Sequence, residues 1–112
     1  MGYVVDDVEL ETDGEGYLRE ADYRDEVCTV IAAEEGLTLT DGHWKVINFL
    51  RDKYREDGHT PNLRNLMKGL QEEGGMPEAD SKLLFDLFPA GGAAKQGCKV
   101  GGLPQPKGKG GY

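Results

Sequence analysis

Cys98 stands in the closing stretch AAKQGCKVGGLPQPKGKGGY, between Lys95 and Lys99, with Lys107 and Lys109 farther on. A cysteine reacts as the thiolate, and neighbouring ammonium groups favour that anion. At an unperturbed pKa of about 8.5 a few per cent of the thiol is ionised at neutral pH, a fraction that the lysines raise. Gly97 leaves one side of the sulfur unshielded. The expected chemistry is therefore nucleophilic attack by an accessible sulfur that can enter another protein's cleft. The plainer alternative is an incidental free thiol in a loose tail, although exposed free cysteines are generally avoided unless used.

Cys28 lies in DYRDEVCTVIAAEEG among Val27, Val30 and Ile31, where a small, inert cysteine packs well in a helix. Its alternative use is as a resolving thiol for Cys98, which requires the tail to fold back. Two cysteines so far apart form neither a disulfide framework nor a zinc spacing. His43 and His59 are too separated to signal a metal site, so capping or packing is their expected role. The chain carries no Gly-rich phosphate loop after a strand and no H-E-x-x-H. No metal and no cofactor is expected.

The body that must position these groups has 112 residues and a net charge of −8, which suits one domain with a modest core. Residues 1–86 hold all 21 acids against 9 bases, whereas residues 87–112 hold four lysines and no acid. An acidic body repels phosphate backbones and disfavours nucleic acid, while the basic arm suits an acidic partner or an anionic ligand. No run approaches the roughly 18 apolar residues of a membrane helix. The start MGYVVDDVELE lacks a basic, then apolar, leader, so a cytoplasmic location is expected.

Along the chain, Val8 and Leu10, then Tyr17 and Leu18 across Asp13-Gly14-Glu15-Gly16, suggest a hairpin around a Gly-rich turn. A helix follows from Asp22 as N-cap to a stop at Gly36. The strongest periodicity belongs to LTLTDGHWKVINFLRDKYREDG, with Trp44, Ile47, Leu50 and Tyr54 on one stripe and Thr38 or Thr40 as cap. Thr60 then Pro61 predicts a further helix start, with Leu63, Leu66, Met67 and Leu70 inward. A short helix capped by Asp80 or Ser81 ends at Pro89. From Pro89 to Tyr112, eight of 24 residues are Gly and three are Pro. Such a stretch loses much chain entropy on ordering for little apolar gain. The expectation is a mainly α fold: an N-terminal hairpin and a helix-turn-helix-like helical core over residues 1–88, then a mobile arm over 89–112, part-docked through Val100 and Leu103. The helix-turn-helix reading puts Arg64, Asn65 and Lys68 outward on a recognition helix, against the net −12 of residues 1–86.

The segments DGEGYL, EEGLTLTDGHWKVINFLRDKY, TPNLRNLMKGL and LFPAGGAAKQGCKVGGLPQP resemble, in this order and spacing, the DsrC/TusE family of sulfur-relay proteins. The likeness runs over nearly the whole chain and is most specific in LTDGHWKVINFLRDKY and AKQGCKVGGLPQP. It implies a compact helical fold with a flexible C-terminal arm that carries sulfur on a cysteine, as a persulfide, mixed disulfide or trisulfide. It implies docking with dissimilatory sulfite reductase or with TusBCD-like relay proteins, as a carrier rather than an autonomous enzyme, with no cofactor. Carried over, the sulfur-bearing residue is Cys98. Lys95, Gly97, Lys99, Gly101, Gly102, Leu103 and Pro104 are the partner-facing residues. One departure stands out: the family's second arm cysteine, eleven positions on and next to the last residue, corresponds here to Lys109. The competing expectation is a regulatory member that binds a partner or DNA and moves no sulfur.

Overall fold

β1 (Gly2–Val5) and β2 (Val8–Glu11) pair antiparallel, with Val5 opposite Val8 at the closed end. The two turn residues, Asp6 and Asp7, have φ of 53° and 65°, the left-handed pair that a two-residue hairpin turn needs and that Asp tolerates. This corrects the expected turn at Asp13–Gly16. That Gly-rich segment instead forms a separate loop, closed by the Thr12–Leu18 bridge and by the Asp13 carboxylate accepting from the backbone N–H groups of Glu15 and Tyr17. The β-branched Val4, Val5 and Val8 outweigh the glycine signal. The structure is a computed structural model that describes residues 2–105, so Lys107, Lys109 and the closing KGKGGY lie outside the described residues.

Five helices follow among the described residues: α1 (Asp25–Glu34), α2 (Asp41–Asp57), α3 (Leu63–Glu72), α4 (Ser81–Leu87) and α5 (Ala93–Val100). The fold is mainly α with one small hairpin, as the sequence predicts. In α1, Val27, Cys28, Ile31 and Ala32 face inward. Asp22 is not its N-cap. Its carboxylate accepts from the Arg24 backbone and guanidinium groups, and Asp25 and Glu26 in the first turn suit the positive helix end. In α2 the expected Thr40 cap is present as a capping box with His43, and Val46, Ile47, Leu50 and Arg51 point inward. The α3 cap is Asn62, accepting from Asn65 N–H at 2.9 Å, rather than Thr60, which is buried elsewhere. Asp80 caps α4. Within this frame α2 contacts α3 as the sequence anticipates, and Arg64, Asn65 and Lys68 are exposed.

The principal correction concerns residues 89–105. Their glycine content predicts a mobile arm, yet α5 packs against α1, α2, α3 and α4 and buries Ala93, Ala94, Gln96, Gly97, Cys98 and Val100. The glycines allow close approach: a Cβ on Gly97 would fall 2.8 Å from Leu50 Cδ1. Val100 and Leu103 are fully buried, as the expected docking through them requires, and burial of a side chain such as Leu103 contributes about 1.5–3 kcal/mol. The folded unit therefore runs on through α5 instead of ending at residue 88.

Candidate functional site

Cys98 sits on the inner face of α5 with 0% of its surface exposed. Its thiol donates to Ala94 O at 3.2 Å and lies 3.4 Å from Thr60 Oγ1. Burial pushes its pKa from the ordinary 9.0 up to about 11, opposed only by the Thr60 contact. This reverses the expected lysine-activated thiolate. Lys95 is exposed, and Lys99, adjacent to Cys98 and so pointing away from it, reaches Glu35 at 3.4 Å and lies over the Tyr17 ring at 5.5 Å. Burial and the nearby Cys98 raise Tyr17 to about 12.

The expected partner-facing residues divide. Gly97, Gly101, Gly102 and Leu103 are buried and serve as packing and turn positions, because the segment seals the core. Gly102 has φ of 77° and its carbonyl accepts from Asp22 N–H at 2.8 Å. Lys95 is exposed, and Lys99 and Pro104 are half-buried.

Polar side chains that the sequence reading passed over tie α5 down. Arg51, 4% exposed, donates from Nε to Gly101 O at 3.0 Å, from Nη1 to Asp25 Oδ1 at 3.1 Å, and from Nη2 to Arg24 O at 3.0 Å and Cys28 Sγ at 2.9 Å. It joins the end of α5 to the start of α1. Its position, one turn beyond Ile47 on the apolar stripe of α2, was the available signal for a buried cation. Cys28 is fully buried, as expected of a packing residue. Burial raises its pKa to about 11 although the Arg51 charge opposes the rise. Gln96 accepts from Ala90 N–H and donates to Glu35. His43 packs edge-on to Phe88 and bridges Thr40 to Leu87 O at 2.7 Å, a capping and packing role. Among the described residues no three metal-ligating side chains converge, and no helix is long and apolar enough to cross a membrane.

This hairpin-plus-helices fold, with a cysteine helix closing the core, has close relatives. The family described as DsrC like protein matches residues 4–109. The chain belongs to that family. It is 42% identical over 99 residues to the sulfurtransferase TusE of Escherichia coli K12, covering 88% of this chain and 90% of that one. It is 40% identical to the TusE of Photorhabdus laumondii, covering 88% of each. Among solved structures, Allochromatium vinosum DsrC superposes with a TM-score of 0.85 at 40% identity over 96% of both chains. The oxidised DsrC gamma-subunit of the dissimilatory sulfite reductase of Archaeoglobus fulgidus gives 0.85 at 32% identity, over 96% of this chain and 98% of that one. The DsrC/TusE likeness of the sequence motifs thus extends to the fold, and these relatives set the chain among sulfur-relay carriers.

Proposed function

We propose that this chain works as a sulfur-relay carrier of the DsrC/TusE type and bears sulfur on Cys98 as a persulfide or mixed disulfide. The observation that carries this reading is the mounting of Cys98: one of only two thiols in the chain rides on an eight-residue helix with glycine joints at both ends, Gly91 and Gly92 before it and Gly101 and Gly102 after it. Gly91, Gly92 and Gly102 hold positive φ, conformations that glycine adopts and leaves at lower cost than other residues. Loading requires α5 to unseat. Once in water, the sulfur regains an ordinary pKa beside Lys95 and Lys99. The thiolate then attacks the outer sulfur of a donor persulfide R–S–SH. A new S–S bond forms, the donor's S–S bond breaks, R–S⁻ leaves, and the product is Cys98–S–SH. An acceptor thiolate reverses the exchange and releases Cys98 as thiolate.

The partner in this reading is a sulfite reductase, in keeping with the name of the Archaeoglobus fulgidus relative, or a TusBCD-like relay protein, as the TusE likeness implies, and the location is the cytoplasm. The open segment would present Lys95, Gly97, Lys99, Gly101, Gly102, Leu103 and Pro104 to it. Incubation with a persulfide donor should add about 32 Da, one sulfur atom, to the protein and to Cys28→Ser, and nothing to Cys98→Ser. Loading that persists in Cys98→Ser sinks the assignment. The sealed thiol together with Lys109 at the second family cysteine position favours a second reading, a regulatory member that moves no sulfur. An unmodified Cys98 combined with a promoter mobility shift at physiological salt selects it.

A further inference from the structure

Glu35 lies at the C-terminal end of α1, where the helix dipole disfavours a carboxylate. Helix α1 gains nothing from it. Its two oxygens serve α5 separately: Oε1 accepts from Gln96 Nε2 at 3.0 Å and Oε2 from Lys99 Nζ at 3.4 Å. Gln96 is 2% exposed, so its amide must find partners inside the protein. Its other end accepts from Ala90 N–H at 3.0 Å, immediately before the Gly91-Gly92 joint. A single carboxylate thereby orients the buried amide that holds the joint and pairs with the cation one residue past Cys98.

We infer that Glu35 is a positioning residue that, through Gln96 and Lys99, keeps α5 seated with Cys98 turned into the core and sets how often the thiol becomes available. This inference deepens the carrier reading and rests on it for its use in sulfur transfer. It separates two groups of contacts. Arg51, Asp22 and Leu103 secure the C-terminal side of α5, whereas Glu35 secures the joint and the outer face. Release of the Glu35 contacts lets the helix lift from its N-terminal joint while the far end stays tied.

The test uses the full chain in a Cys28→Ser background and follows the reaction of Cys98 with a neutral aromatic disulfide, alongside amide hydrogen exchange. Glu35→Ala should speed the reaction roughly tenfold, the loss expected for hydrogen bonds to a charged group. Glu35→Gln, which still accepts from Gln96 but no longer pairs with Lys99, should give a smaller increase. Amides of residues 93–100 should lose protection while those of residues 46–51 keep it. An unchanged rate in Glu35→Ala overturns the inference, as does equal loss of protection in both segments. Lys99→Gln gives an independent check if Glu35→Ala folds poorly: amides of residues 93–100 should lose protection relative to residues 46–51, and unaltered protection counts against the inference. Neither measurement uses a sulfur donor, so failure here is distinct from failure of Cys98 to load.

Discussion

At the scale of single residues, the two thiols make stability depend on alkaline pH. Burial holds Cys98 and Cys28 at about 11 against an ordinary 9.0. Because the folded values are raised, the unfolded chain loses its protons first. The stabilisation is complete below about pH 9 and is lost as the pH rises towards about 11. By about pH 10 each thiol should have cost about 1 kcal/mol relative to about pH 8. Urea midpoints at the two pH values measure the decline, and Cys98→Ala should remove roughly half of it. The sequence made Cys98 legible as the candidate for chemistry, because its type and its lysine neighbours are local properties. Its protonation was not legible, since burial depends on Thr60 and on the helices behind it.

Among the elements, α2 could be read almost whole, with its apolar stripe and its Thr40 cap both in the sequence. Thr40→Ala should cost about 1 kcal/mol in chemical denaturation. Helix α5 was hidden, because a count of its glycines argues for a loose chain. The information lay in their order: Ala93, Gly97 and Gly101 form one row of small residues and Ala94 and Cys98 another, at the four-residue spacing of one helix face. Gly97→Ala tests that row. Its methyl group meets Leu50 and Val46, so overpacking should destabilise by about 1–3 kcal/mol and speed modification of Cys98. The hairpin was misplaced for a related reason. Its aspartate turn is a less familiar signal than the Gly-rich segment that follows.

For the whole molecule, Arg51 joins three helices by donating to Gly101 O, Arg24 O and the Asp25 carboxylate. Arg51→Lys keeps the charge but loses the planar fork that serves several acceptors at once. It should lower stability by about 2–4 kcal/mol, measured by urea titration, with unpaired buried carbonyls as the cause. The net −8 should make the carrier form bind DNA weakly at physiological salt, which a mobility shift checks. The seating of α5 against α1, α2, α3 and α4 also has a consequence for biosynthesis. A ribosome makes those four helices before the helix that closes them, so a nascent chain carries an open apolar hollow until α5 emerges. Newborn copies thus depend on prompt emergence of α5 or on a chaperone's shelter more than the small size of that helix would suggest.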